Sequence, residues 1–374
     1  MTKKLPSLLL LSLGAFVAAT VVARAGAGGQ KAAYQKEWDD AKTEKTASLY
    51  EKWIDTLQGF VVRAAVVEDA MTQEVRAWPE LGAGVKAAYI RLLDSQMMDV
   101  TVYEVPPGKA TAEHAHTYEE YLFVASGSGQ TAFTRGSQVQ RLKWGKEALL
   151  AIPLNVKHSH ANTGTTPVRL VSITSMPTMV NIGGNANYTY TNSYDFRDRY
   201  RSQEQYFTES TRLKNRFAAV NFIPNIREAA TDPYPERGGT NMHWKMAANS
   251  VLDAHISEFP VGSYKRAHRH RNEAIIYILN GTGYTLVWKN AGDKPQKIDW
   301  KQGALQQVPP FWYHQHFNTG TDPVRYLAIT SDGVLVNLGL NDSEEQEQGN
   351  EDPAIRKLFE EELARTKGPT GPGH

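Results

Sequence analysis

His114, His116, Glu120 and His158 make a mixed nitrogen and oxygen set of the kind that holds a divalent first-row metal. His268, His270 and His314 repeat the histidines about 155 residues later. The frame around them repeats as well. In the first copy Gly108 precedes His114, Gly127 follows Glu120, and Pro153 and Asn162 bracket His158; the second copy has Gly262, Gly281, Pro309 and Asn318 in the same places. The copies align without a gap from Gly108/Gly262 to Gly129/Gly283, and again from Pro153/Pro309 to Gly164/Gly320. A repeat this long implies duplicated domains rather than a short solenoid unit.

Such a set needs strands to assemble it. Residues two apart on a strand face the same way, so His114 and His116 project together, with Glu120 in phase if no bulge intervenes. His158 must come from a distant strand. Four protein ligands in an octahedral sphere leave two positions for water, dioxygen or substrate, which is what a catalytic site requires.

The double pattern resembles the cupin superfamily, and within it the bicupins. Gly108, His114, His116, Glu120 and Gly127 match the family's first motif. Pro153, His158 and Asn162 match its second, with Asn155 where glycine is usual. The resemblance covers roughly residues 95–180 and 250–335. It implies an all-β fold of two cupin-type antiparallel β-barrels, each with a metal inside. Iron is the first expectation, with manganese, nickel, copper and zinc as alternatives. The superfamily holds dioxygenases, decarboxylases, isomerases, hydrolases and metal-free binding proteins, so membership alone does not select a reaction.

The second copy departs at one position, where Ala274 aligns with Glu120. Glu273, one residue earlier, belongs to the other face of a regular strand. Three readings stay open: a three-histidine site of His268, His270 and His314; a site completed by Glu273 turned inward by a bulge; or a second barrel without metal. The three-histidine reading is similar to gentisate-type ring-cleaving dioxygenases.

His160 and His316 lie two residues beyond the third histidine of each set and share its face. They are candidates for hydrogen-bonding or acid–base groups beside a metal, and His160 is the candidate catalytic residue. Counting back by twos from His114 gives Ala112 and Ala110, and from His268 gives Arg266 and Tyr264. An unbroken strand would therefore line the second cavity with a guanidinium and a phenol, suited to a carboxylated or phenolic ligand.

Charged residues are 22% of the 374 and hydrophobic ones 41%, with a formal net charge of +1, which describes a packed globular protein. No basic block exists, so nucleic acid is not an expected partner. Lys3 and Lys4, the apolar run Leu8–Val22 and Ala23-Arg24-Ala25 read as an export signal. The expected location is periplasmic or extracellular. An uncleaved anchor is the alternative to cleavage, and no other membrane contact is expected. Cysteine is absent, which excludes disulfides and a lipidated cysteine.

The expected organisation is a signal peptide over 1–25, an N-terminal helical extension over 26–90, a first barrel over 91–180, a connector over 181–249, a second barrel over 250–335, and a C-terminal helix and tail over 336–374. Helical spacing over Ala32–Leu57 and Asp352–Thr366 supports the flanking helices, which leave room for a homodimer. The functional expectation is an exported non-haem iron dioxygenase acting on a small aromatic or carboxylated substrate. Its alternatives are a manganese-dependent decarboxylase of the oxalate type, against which Ala274 counts, and a non-catalytic small-molecule-binding protein.

Overall fold

Alternation along two strands explains how the halves join. In strand Glu120–Ser126, Tyr121 and Phe123 belong to one core, while Leu122 and Val124 belong to another. Strand Ala274–Asn280 repeats this: Ile275, Tyr277 and Leu279 share the core of Tyr121 and Phe123, whereas Ile276 and Ile278 pack inside their own half. Each strand is buried on both faces, so each is a nearly continuous apolar run.

The computed structural model describes residues 47–57, 59–92, 95–247, 250–345 and 351–367, and residues 49–374 form one unit. In the first half an eight-stranded sheet runs Val61–Ala64, Lys86–Leu92, Asp99–Val105, Val168–Thr174, Glu120–Ser126, Leu149–Ile152 and Phe222–Ile223, with Arg76–Ala77 added beside Lys86–Leu92. A three-stranded sheet of Lys157–Asn162, Gly129–Arg135 and Gln138–Trp144 packs on it through Phe133 and Trp144. The second half repeats the plan with nine and five strands. The outcome is the expected all-β architecture in two halves, drawn as two sheet sandwiches whose large sheets share a core.

The large sheets also exchange strands. Val66–Val67 pairs with Leu305–Val308 of the second half, and Phe222–Ile223 pairs with Leu149–Ile152 of the first. The helical expectation over 26–90 is corrected here. Among the described residues it holds for Leu49–Ile54 and a single 3-10 turn, Pro79–Leu81, and strands occupy much of 61–92, where β-branched and aromatic residues find open sheet edges. Likewise 181–249 is not only a connector, because Ser210–Lys214, Phe217–Val220 and Gly239–Lys245 extend the second large sheet. The C-terminal helix is Pro353–Lys367. The export segment and most of Ala32–Leu57 lie outside the described residues. No helix among the described residues is long and apolar enough to cross a membrane.

Candidate functional site

Backbone pairing assembles the first histidine set. His114 and His158 exchange backbone hydrogen bonds, at 3.1 and 2.8 Å, which brings their rings, tilted 58° to one another, to a centroid separation of 4.3 Å. His116 is held differently. Asn155 sits in the left-handed region at φ 54° and donates its N–H to the His116 carbonyl at 2.8 Å. That conformation is why the resemblance expects glycine there, and asparagine is the residue that best tolerates it otherwise. In the second half Phe311 takes the same role at φ 61°, donating to the His270 carbonyl at 2.7 Å.

The ligand atoms of His114, His116, Glu120 and His158 all lie within 4.8 Å of one another, as do those of His268, His270 and His314. In all six ligand histidines Nδ1 faces a backbone carbonyl, of Ala112, Tyr118, Val156, Arg266, Asn272 and Trp312 respectively, at 2.8–3.2 Å. Each Nδ1 therefore carries the proton and each Nε2 offers its lone pair, the tautomer a metal needs. Burial holds His114 and His270 down to about 4, so both are neutral near pH 7. His158 Nε2 is buried without a hydrogen-bond partner, a cost that a bound cation would relieve. His116 Nε2 and Glu120 Oε2 are 2.9 Å apart, close to the ~3 Å between neighbouring ligands on bonds of about 2.1 Å. The residues fit a divalent metal.

Glu120 is fixed from behind. Ser172 donates to its Oε1 at 2.6 Å, which leaves Oε2 for the histidines. In the second half both partners are absent together: Ala274 stands for Glu120 and Ala328 for Ser172. The two pairs occupy equivalent registers, Glu120 and Ala274 lying opposite Thr174 and Thr330. Glu273 does not substitute. It is fully buried between the halves and accepts hydrogen bonds from the Gln96 and Met97 amides and the Ser95 hydroxyl. Glu119 does the same in reverse, accepting from the amides of Ser250, Val251 and Leu252 at 2.6–2.9 Å. The bulge alternative is thereby overturned, and the second set is three histidines.

His160 and His316 differ from the ligands. Fully buried Thr131 receives the Trp144 indole N–H at 2.9 Å and lies 2.9 Å from His160 Nδ1, an arrangement that Thr285, Trp300 and His316 repeat in the second half. Thr285 receives N–H groups from Trp300 and Gln306, and its proton goes to His316 Nδ1. His316 Nε2 therefore carries the hydrogen, and His160 sits in the same surroundings. Burial lowers each ring to about 3, so both act as neutral donors rather than acids.

The two cavities are opposites. The first, about 320 Å³, is walled by Trp53, Trp78, Tyr89, Tyr103, Tyr118 and Tyr190, with His114, Glu120 and His160 inside and no lysine or arginine among the described residues that line it. Tyr118 stacks on His116 at 3.8 Å. Asp99 anchors this wall, accepting from Tyr50, Tyr89 and Thr174, and burial raises it to about 6. The second cavity, about 280 Å³, holds Arg216, Arg237 and Lys265 beside its three histidines and His316.

Arg266 and Tyr264 are corrected. Arg266 lies 3.9 Å from Glu345, and Tyr264 bonds Glu351 and packs on Phe359, outside the cavity lining. Strand structure begins only at His268, so counting back by twos fails and Lys265 faces inward instead. A sequence signal existed: Lys265 aligns with Thr111, and the amide of each bonds the carbonyl of His316 or His160. Ser172 had a signal too, since it changes to alanine in the repeat together with Glu120.

The Cupin domain profile matches residues 101–174 and 255–330. A 5-aminosalicylate 1,2-dioxygenase from a Comamonas species is 22% identical over 349 residues, 84% of this chain and 85% of that one. Salicylate 1,2-dioxygenase from Pseudaminobacter salicylatoxidans superposes with a TM-score of 0.52 at 11% identity, over 73% of this chain and 80% of that one. A variant of Bacillus subtilis oxalate decarboxylase gives 0.51 at 14% identity, over 79% and 84%. These two structures share the fold.

Proposed function

The chain is a bicupin, with a cupin domain in each half, and from that premise we propose that it is a metal-dependent dioxygenase acting on a small single-ring aromatic substrate in the first barrel. One observation carries the reading: three unprotonated Nε2 atoms and a carboxylate converge at a cavity with aromatic walls. A dry cavity of about 150 Å³ already holds benzene, so about 320 Å³ takes a substituted ring with space for dioxygen. The relative that spans most of the chain is named for oxidising an aromatic compound.

His114, His116, Glu120 and His158 would hold the metal, with Ser172 fixing the carboxylate. Iron is the metal proposed, and it would supply open positions for dioxygen and substrate and relay electrons from the ring, which is oxidised, to dioxygen. His160 offers its Nε2–H to a substrate oxygen, orienting the ring without changing protonation. The tryptophan and tyrosine walls stack the ring and exclude water. Export to the periplasm or beyond is part of the proposal and rests on the N-terminal basic, apolar and small-residue order.

The test is dioxygen uptake by protein loaded anaerobically with Fe(II), using dihydroxybenzenes and aminophenols. The expected result is consumption of dioxygen matched by loss of ring absorbance, abolished in Glu120→Ala. Ring substrates left intact, or carbon dioxide released without dioxygen uptake, would overturn it.

A further inference from the structure

The second cavity carries positive charge without a matching carboxylate among the described residues. Lys265 is 3% exposed, and no carboxylate among the described residues lies within ion-pair distance of its Nζ. Its ammonium rests over the rings of Phe259 and Tyr326, 5.6 and 5.3 Å from their centroids. Such contacts offset only part of the cost of a buried unpaired charge. Arg216, in the turn between Ser210–Lys214 and Phe217–Val220, lies 3.8 Å over Tyr234, and its Nε is buried without a partner.

The other cation on this wall is paired, and no carboxylate among the described residues acts on Lys265. Arg237 pairs with Glu345 at 2.8 Å, and Asp253 pairs with Lys245, whose charge also acts on Asp332. The floor is a stack of rings, Phe217 on His243 and His243 on His255, with centroids 4.7 and 4.6 Å apart. Burial keeps both histidines neutral. The three-histidine set beside them brings no carboxylate. Thr111, the counterpart of Lys265, stands in a cavity without cations, so the two halves have diverged at matched positions.

We infer that the second cavity is a separate binding site for a small organic anion, a carboxylate on a single ring, held by Lys265 and Arg216. The ring lies against the histidine stack, and the carboxylate supplies the partner that both cations lack. Burial and then Arg237 lower Lys265 to about 7, and an arriving carboxylate favours its protonated form. This inference does not depend on oxidation in the first barrel.

The test uses the full chain as purified, with its metal and under nitrogen, so that turnover plays no part. Benzoate and its neutral isostere benzamide are titrated by calorimetry. Benzoate should bind at least about tenfold more tightly, because hydrogen bonds to charged groups are worth roughly tenfold to hundredfold in affinity. Lys265→Met should erase most of that preference, and Arg216→Gln should reduce it without touching the buried lysine. A crystal soaked in 4-bromobenzoate should show bromine in the second cavity. Equal affinity for the two probes, a preference surviving both substitutions, or bromine in the first cavity alone would each overturn the inference.

Discussion

Ser172→Ala isolates one hydrogen bond behind the first metal set. The hydroxyl donates to Glu120 Oε1 at 2.6 Å in a site where both residues are buried. The substitution removes one oxygen, leaves the four ligands in place and creates little empty space. Two routes give its size. A hydrogen bond to a charged group is worth about 1.5–3 kcal/mol. Removing a partner that orients a metal ligand costs roughly tenfold to hundredfold in metal affinity, or about 1.4–2.8 kcal/mol. The routes agree, so Ser172→Ala should weaken binding at the first site by roughly one to two orders of magnitude. Competition against a chelator of known affinity reads this directly. The internal control is Ala328→Ser, which installs the same hydroxyl in the second half, where Ala274 offers no carboxylate to orient. It should leave metal affinity there unchanged. Unaltered affinity in Ser172→Ala, or an equal response at both sites, would refute the view that Glu120 is a ligand positioned by Ser172.

Three more predictions follow from the same geometry. Glu273→Ala strips the acceptor from the Gln96 and Met97 amides and the Ser95 hydroxyl, and should cost roughly 3–5 kcal/mol in denaturant titrations; metal content should not change, and a lost equivalent would make Glu273 a ligand after all. The metal-free protein should be acid-labile: His114, His243, His270 and His316 sit at about 3 to 4 when folded, against 6.5 unfolded, so the unfolded chain binds more protons and stability falls as pH drops from 6.5 toward 4. Asp99 and Asp253, raised from 3.8 to about 6, act oppositely over the pH 4–6 part of that window, but the histidines outnumber them; unfolding midpoints in urea that stay flat or rise from pH 6.5 to 4.5 would contradict this. Thr131→Val removes the hydroxyl that fixes the His160 tautomer, and should raise KM or lower kcat for an aromatic substrate by about tenfold with metal content intact; unchanged kinetics would remove His160 from substrate positioning.

The repeat made the architecture legible because cupin motifs combine ligands with the turns that place them. Gly127 shows why spacing was informative: it has φ 82°, and a Cβ there would meet Val168 at 2.7 Å. Asn162 and Asn318 were legible as frame residues, and their side-chain amides tie backbone carbonyls of separate segments together, two for Asn162 and three for Asn318. Alternation carried one residue past the starts of strands Glu120–Ser126 and Ala274–Asn280, separating Glu120 from Glu119 and Ala274 from Glu273. It failed before His268, where no strand enforces a period of two, and so Arg266 and Tyr264 took the place that belongs to Lys265. Composition could not reveal the opposite electrostatics of the cavities, since Arg216 and Asp99 reach them from strands and turns far apart in the chain. Nor could periodicity foresee the exchanged strands Val66–Val67 and Phe222–Ile223, each too short to carry a pattern.

The central claim is that the first half binds a metal through His114, His116, Glu120 and His158 and that oxidation happens there. Metal content of untagged protein, purified anaerobically, tests it most directly when wild type and His114→Ala are compared. The account predicts iron in the wild type and the loss of about one equivalent per chain in the variant, together with loss of dioxygen uptake. Unchanged iron content in His114→Ala, or a wild type that takes up no iron, would contradict it.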